Sequence, residues 1–191
     1  MLVILTGAHS CGKSTLVEFF RDKEGFVCID SVTRSTITPE ERKVDNGVSE
    51  EGQARMFLAI LDKTAEILEM NRQHPENVYL LDRSVFDFLA YNRAFERRGY
   101  ISAELREQIE KSCNELKKNY DLVCYLPIEF PIVSDGVRSM DEELRKEVDQ
   151  EILRQIMWDK VRAITLHGSV KERVQAIKDA IDSVKLAEQS A

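Results

Sequence analysis

The residues with the clearest chemical meaning lie near the amino terminus of the 191-residue chain. From Gly7 to Ser14 the sequence GAHSCGKS fits the spacing G-x-x-x-x-G-K-[S/T], between an apolar run and a helical pattern. Glycines permit the tight turn, and the loop amides then converge on phosphate oxygens at a helix N-terminus. The spacing predicts a nucleoside triphosphate site in which Lys13 contacts the β- and γ-phosphates and the Ser14 hydroxyl binds Mg²⁺. The predicted nucleotide-binding residues are Gly7, Ala8, His9, Ser10, Cys11, Gly12, Lys13, Ser14 and Thr15.

A carboxylate also follows the apolar strand predicted at residues 78–81. Asp82 there matches the acid that metal-dependent phosphoryl transfer needs at the carboxyl edge of a strand beside the phosphate-binding loop. It can hold Mg²⁺ or accept the proton of an attacking hydroxyl, and Arg83 can bind a phosphate or the substrate. The alternative is that Asp82 caps the helix that follows.

An arginine in a charged, turn-rich segment is a further catalytic candidate. Asp135-Gly136-Val137-Arg138 would bring Arg138 over the transferring phosphoryl group, whose charge an arginine stabilises. Arg145 is a weaker second candidate. The alternative is a solvated loop with surface arginines.

Two other loops are expected at the same edge of the sheet. Gly168 and Ser169 follow the last strand and can hold the adenine edge, although Ser169 can equally be a helix cap. Asp30, Arg34 and Asp87 are expected to face the acceptor, or else to be surface groups.

Short apolar runs alternate with helical patterns along the whole chain, which predicts parallel strands covered on both faces. We therefore expect a three-layer α/β/α fold with about five parallel strands in a single domain, residues 1–191, with a helical lid segment at 129–150. The predicted strands are 2–5, 26–29, 78–81, 122–126 and 161–166. The predicted helices are about 49–72, 85–99, 102–119 and 141–158, with one helix before residue 26 and a closing one from residue 170.

The composition excludes several classes of protein. A net charge of −7 and a pI near 5.2 argue against general nucleic-acid binding, although Arg93, Arg97 and Arg98 form a local basic cluster. The longest apolar runs are far shorter than the ~20 residues that span a bilayer. Four cysteines without metal-ligand spacing favour reduced thiols in the cytoplasm. The helices at 141–158 and after 170 leave a homodimer open.

The order of these motifs resembles a known family. The chain is similar to the P-loop NTPases of the small AAA, ribosylnicotinamide-kinase-like type. The motifs that carry this resemblance are, in chain order, the loop, Asp82-Arg83 with Asp87 and Tyr91, the Arg138 segment, and Gly168-Ser169 with Arg173. Deoxynucleoside and thymidylate kinases are wider relatives. The resemblance implies ATP and Mg²⁺ as cofactors, Asp82 as the family's acid and Arg138 as its lid arginine. Such kinases often carry a glutamate three residues before the arginine that follows the second strand. Here Ser31 stands there, and the nearest acid is Asp30.

These observations favour an ATP- and Mg²⁺-dependent phosphotransferase that acts on a nucleoside or nucleotide-like acceptor. One alternative is a nucleotide-dependent ATPase switch that binds a protein partner, and a less favoured one is a kinase of polynucleotide ends. The use of GTP in place of ATP stays open, although the sequence has no Asn-Lys-x-Asp segment, which switch-type GTPases use to recognise guanine.

Overall fold

The computed structural model describes residues 1–32, 36, 49–132 and 141–189. Within them the strands are β1 Leu2–Thr6, β2 Phe26–Ile29, β3 Val78–Asp82, β4 Leu122–Tyr125 and β5 Ala163–Thr165. The helices are α1 Lys13–Phe20, α2 Glu50–Gln73, α3 Val85–Arg97, α4 Ala103–Leu116, α5 Glu142–Asp159 and α6 Val170–Gln189, and a 3₁₀ turn covers Lys117–Asn119.

The described strands form one parallel sheet in the order β2-β3-β1-β4-β5. In the register of the sheet Leu5 pairs with Asp82, and Thr6 pairs with Tyr125. The carboxyl ends of β1, β3 and β4 therefore lie side by side. The predicted α/β architecture with five parallel strands is confirmed, and the order places β1, which leads into the loop, at the centre of the sheet.

The alternating side chains of β1 explain why both faces of the sheet are covered. Val3 and Leu5 face a core that includes α1 and α6, whereas Leu2 and Ile4 face a core that includes α2 and α3. All of β1 is buried, as expected for a central parallel strand. This burial fixes the end of β1, and with it the start of the loop.

Side-chain caps set the starts of four helices close to the predicted positions. Ser49, Ser84, Ser102 and Asp141 each accept a hydrogen bond from a backbone amide of the following first turn. The last strand is shorter than the predicted 161–166, because β5 pairs only with β4 at the sheet edge and its ends are largely exposed.

In the part of the chain that the structure describes, no helix has the length and apolar character to cross a membrane.

Candidate functional site

The loop between β1 and α1 depends on two glycines. Gly7 has a φ of 152°, and a Cβ there would meet the carbonyl oxygen of Leu126. Gly12 has a φ of 97° immediately before α1, and a Cβ there would lie 3.2 Å from Nη1 of Arg173. Backbone dihedrals of this kind, and the close approach at Gly7, suit only glycine. The two fixed glycines of the predicted motif are thus required by the geometry of the loop.

Lys13 is folded back onto its own loop. Its ammonium donates hydrogen bonds to the carbonyl oxygens of Gly7 and Ala8, the latter at 2.8 Å, and lies 3.6 Å from Oδ1 of Asp87. The side chain is buried. The positive charge is therefore held at the mouth of the loop by two carbonyls and one carboxylate.

Asp87 lies beneath the loop, where it joins the loop to the start of α3. Its Oδ1 accepts the Gly7 amide at 3.2 Å, and its Oδ2 accepts the Ser84 amide at 3.1 Å in a capping box. It is only 1% exposed. Among the described residues its contacts go to the loop, Lys13 and Ser84, whereas the sequence led us to expect either a contact with the acceptor or a surface position.

The Ser14 hydroxyl meets the carboxylate of Asp82. It donates to Oδ2 at 2.8 Å, because β1 and β3 are neighbours in the sheet and their ends lie side by side. Oδ1 of Asp82 is buried and has no hydrogen-bond partner among the described residues. The two residues predicted to bind Mg²⁺ are thus brought together, with one carboxylate oxygen still available.

Arg83 follows directly with a left-handed backbone, at a φ of 76°. Its guanidinium lies 5.5 Å from the ring centre of Tyr91, whose hydroxyl is 2.9 Å from Nδ1 of His9. Burial lowers the pKa of Arg83, but Tyr91 and the carboxylates nearby raise it, and the net shift is upward. A permanent positive charge therefore stands beside Asp82.

Two buried arginines hold the backbone of the loop. Nε of Arg145 donates to the His9 carbonyl at 3.0 Å, and its Nη2 donates to the Ser10 carbonyl at 3.2 Å. Nη1 of Arg173 donates to the Cys11 carbonyl at 2.7 Å. The sequence singled out Arg145 only as a second lid arginine and gave no sign of these contacts.

A pocket of about 280 Å³ opens beside the loop. Its lining includes Gly12, Thr15, Phe130, Gly168 and Arg173, and the guanidinium of Arg173 lies 5.1 Å from the centre of the Phe130 ring. An aromatic ring and glycine backbone in the lining of one pocket suit a flat base. The predicted Gly168 thus lines the pocket together with residues of the loop.

Glu129 bonds to two residues that line this pocket, Gly168 and Arg173. Hydrogen bonds from His167 and Arg173, and one from the Gly168 amide, hold the pKa of Glu129 at about 2. Ser169, predicted to hold the base, instead donates its hydroxyl to Glu172 at 2.6 Å in the first turn of α6.

The predicted acceptor residues are not brought together in the described part of the chain. Asp30 is exposed and pairs with Arg21 at 2.7 Å. Arg34 and Arg138 lie outside the described residues, as does the 133–140 part of the predicted lid. The later part of that lid belongs to α5, where Leu144 and Val148 are buried against α3.

The basic cluster on α3 is neutralised by neighbouring helices. Arg93 pairs with Glu110 of α4 and with Glu151 of α5, and Arg97 and Arg98 both pair with Glu147. The cluster therefore forms an ion-pair seam between helices.

Taken together, the sheet order, the loop and the Ser14–Asp82 pair define an α/β protein of the P-loop class. The chain belongs to a family of AAA domains, whose model matches residues 2–173. The resemblance to the small AAA, kinase-like P-loop proteins inferred from the sequence is confirmed. A search of curated proteins finds no match.

Several solved structures share the fold. The chain is 20% identical to NadR protein in complex with NR, with a TM-score of 0.66 over 96% of this chain and 50% of that one. NadR protein in complex with NAD and AMP-PNP gives a TM-score of 0.70 at 20% identity, over 96% and 49%. Deoxyadenosine kinase from M. mycoides, with products dCMP and a flexible dCDP bound, gives 0.68 at 14% identity over 96% and 100%. The chain thus spans about half the length of the NadR chains and the whole of the deoxyadenosine kinase.

Proposed function

We propose that the protein transfers the γ-phosphoryl group of ATP, with Mg²⁺, to a small nucleoside-like acceptor. The observation that carries this proposal is the pair of Ser14 and Asp82, 2.8 Å apart, with Lys13 next to Ser14 at the start of α1. A hydroxyl, a carboxylate and an ammonium at the end of a phosphate-binding loop are the groups that phosphoryl transfer requires.

Lys13 supplies the positive charge for the triphosphate. Its contacts with the Gly7 and Ala8 carbonyls are replaceable, because phosphate oxygens are stronger acceptors for a charged donor. On nucleotide binding the ammonium would turn from these carbonyls to the β- and γ-phosphates. Most of the catalysis would then come from positioning and charge stabilisation.

The residues at the strand ends fit a magnesium ion. Mg²⁺ prefers oxygen ligands and keeps several waters, so the Ser14 hydroxyl and one Asp82 oxygen would hold it directly or through water. The buried Oδ1 of Asp82, which has no partner among the described residues, supports this fit. When bound, the ion would neutralise charge on the phosphates. Asp82 is also the residue we propose to orient or deprotonate the acceptor hydroxyl.

The pocket beside the loop is the proposed base site. Phe130, on whose ring the Arg173 guanidinium lies, offers a surface for an adenine ring, and Gly168 brings backbone close to it. Gly12 and Thr15 line the same pocket, so a base there would be continuous with phosphates held by the loop. Ser169 is less well supported in this role, because its hydroxyl is used by Glu172.

The acceptor side is proposed to lie around Asp82 and Arg83, beyond the γ-phosphate. Arg83 carries a permanent charge beside the proposed metal ligand, and Tyr91 supports its guanidinium. The nucleoside class is supported by the shared fold with NadR in complex with NR and with a deoxyadenosine kinase holding dCMP. Arg138 as the lid arginine, and Asp30 and Arg34 as acceptor contacts, stay predictions.

The pairing of the α3 arginines favours a small acceptor over a polynucleotide end. Arg93, Arg97 and Arg98 are matched by glutamates, so this face offers little uncompensated charge to a phosphate backbone. A cytoplasmic location and a homodimer also stay predictions.

The decisive experiment is ATP turnover with Mg²⁺, measured alone and with a panel of nucleosides and nucleotides. A kinase excludes water from its closed site, so one class of acceptor should stimulate turnover strongly and should itself become phosphorylated. Slow turnover that is indifferent to every acceptor would instead support the ATPase switch.

A variant of the loop lysine tests the same site. Lys13→Ala should abolish stimulated turnover while the protein remains folded by circular dichroism. Lys63→Ala removes a half-buried lysine that pairs with Glu66 of the same helix, α2, and it should leave turnover unchanged. Normal turnover by a folded Lys13→Ala protein would refute the assignment.

A further inference from the structure

We propose that Arg145 and Arg173 are positioning residues that orient three successive amides of the phosphate-binding loop toward the nucleotide. We call these two residues the arginine clamp, and the inference rests on the proposed function. The clamp binds the carbonyl oxygens of His9, Ser10 and Cys11, at 3.0, 3.2 and 2.7 Å. Both arginines come from distant parts of the chain, 136 and 162 residues beyond the carbonyls of His9 and Cys11.

Peptide geometry converts these contacts into amide directions. The peptide unit is planar and trans, so the carbonyl of one residue and the N–H of the next point in opposite directions. A guanidinium that fixes the His9 carbonyl therefore turns the Ser10 amide to the opposite side. The same argument holds for the Cys11 and Gly12 amides, so all three would face away from the clamp and into the loop.

The backbone dihedrals agree with an anion-binding nest. Ser10 and Gly12 both have positive φ, 58° and 97°, with Cys11 between them outside that region. Alternation of this kind makes successive amides converge on one point. For Ser10, which is not a glycine, the left-handed conformation is energetically unfavourable. Such a conformation persists where the surrounding structure imposes it, and the clamp provides that restraint.

The burial of the clamp shows why arginine is needed. Arg145 is 0% exposed and Arg173 is 2% exposed. Buried charges are tolerated only when they are paired and hydrogen-bonded, and here Glu142 and Glu129 supply the partners, at 3.3 and 2.6 Å. Arg145 also donates to the Phe130 carbonyl at 2.8 Å, so its fork makes several bonds at once. A lysine ammonium lacks this planar fork.

The clamp makes a different prediction from a lid arginine. A lid arginine contacts the transferring γ-phosphate, so its loss lowers the affinity for ATP and leaves the affinity for ADP unchanged. The clamp instead orients amides that face the phosphate tail common to both nucleotides. Loss of the clamp should therefore lower the affinities for ADP and for ATP by the same factor.

The test compares wild-type protein with Arg145→Lys and Arg173→Lys by calorimetric titration with Mg·ADP and Mg·ATP. Each variant keeps its charge but loses the fork. Affinity for both nucleotides should fall together by about 10-fold or more, the effect of one lost hydrogen bond. The control Arg154→Lys alters an exposed arginine of α5 that pairs with Glu151, and its affinities should stay within about twofold of wild type.

Each outcome is decisive. Unchanged affinity in a folded clamp variant, or a loss restricted to ATP, would overturn the proposal for that arginine. If Arg145→Lys fails to fold, Arg173→Lys and Arg173→Gln carry the test. If these also fail to fold, with no recovery by Mg·ADP, the role is structural and the proposal is refuted. Wild-type protein that binds neither nucleotide would refute the proposed function, whereas wild-type binding with unaffected variants would refute only the clamp.

Discussion

The buried contact between Asp87 and the loop allows a quantitative prediction. Replacement of Asp87 by asparagine keeps the size of the side chain but removes its charge. The carboxylate accepts the Gly7 and Ser84 amides and lies 3.6 Å from the Lys13 ammonium. An asparagine can accept only through its oxygen, so its NH₂ group would face one of these two N–H donors.

The expected destabilisation follows from these contacts. A hydrogen bond to a charged group contributes about 1.5–3 kcal/mol, and a buried ion pair that loses one partner costs about 3–5 kcal/mol. Lys13 retains two carbonyl partners, so we take the lower part of this range, about 3 kcal/mol. For a domain of this size that corresponds to a fall in Tm of roughly 6–12 °C.

Urea unfolding of wild type and Asp87→Asn measures the effect, with Asp30→Asn as the control. Asp30 also pairs with an arginine, Arg21, but it is exposed, and its loss should cost less than about 1 kcal/mol. A double-mutant cycle with Lys13→Met then isolates the contribution of the ion pair. We expect a coupling of about 1 kcal/mol or more.

Two results would refute this reasoning. The first is an Asp87→Asn protein no less stable than Asp30→Asn. The second is additivity in the cycle, within about 0.5 kcal/mol, which would mean that Lys13 and Asp87 do not interact.

Three further predictions concern the loop and the pocket. Gly7→Ala should lower the free energy of unfolding by about 2 kcal/mol or more in urea, since the left-handed backbone alone costs about 1–2 kcal/mol and a carbonyl blocks the new methyl group. Phe130→Ala should lower the affinity for ATP by about 10-fold through lost stacking, while the affinity for inorganic triphosphate is unchanged. Equal losses of affinity for the two ligands would refute the base site. Hydrogen bonds from His167 and Arg173 hold the pKa of Glu129 at about 2, below its usual value of 4.5. The ionised carboxylate therefore contributes fully to the stability of the fold above pH 4.5, and this contribution is lost as the pH falls toward 2. The stability difference between wild type and Glu129→Gln should therefore narrow over that range, and a constant difference would contradict this.

The phosphate-binding loop was predictable because its chemistry is local. The glycines, Lys13 and Ser14 lie within eight residues, and each residue type is required by the turn or by the phosphates. Asp82 was predictable for a related reason, since a parallel sheet brings strand ends to one edge. The contact between Ser14 and Asp82 also requires β1 and β3 to be neighbours in the sheet, as they are in the structure.

The arginine clamp was not predictable, because no local pattern distinguishes an arginine that binds a distant carbonyl from one on a surface. Arg145 lies in a highly charged helix, and only the packing of α5 against α3 shows that it points inward. The contact of Asp87 with the loop was not predictable for the same reason. The sequence placed it one turn into α3, but the capping box turns its carboxylate under the loop.

The position of β1 has a consequence for synthesis of the chain. Of the five described strands, the one made first is the middle strand of the sheet, and its neighbours begin at Val78 and Leu122. Until those segments emerge, a strand of four apolar residues and Thr6 has no sheet partner on either side, and unpaired apolar strands of this kind favour aggregation of the nascent polypeptide. Arg173, the second arginine of the proposed clamp, is made later still, so the proposed nucleotide site would be complete only when translation of the described part is almost finished.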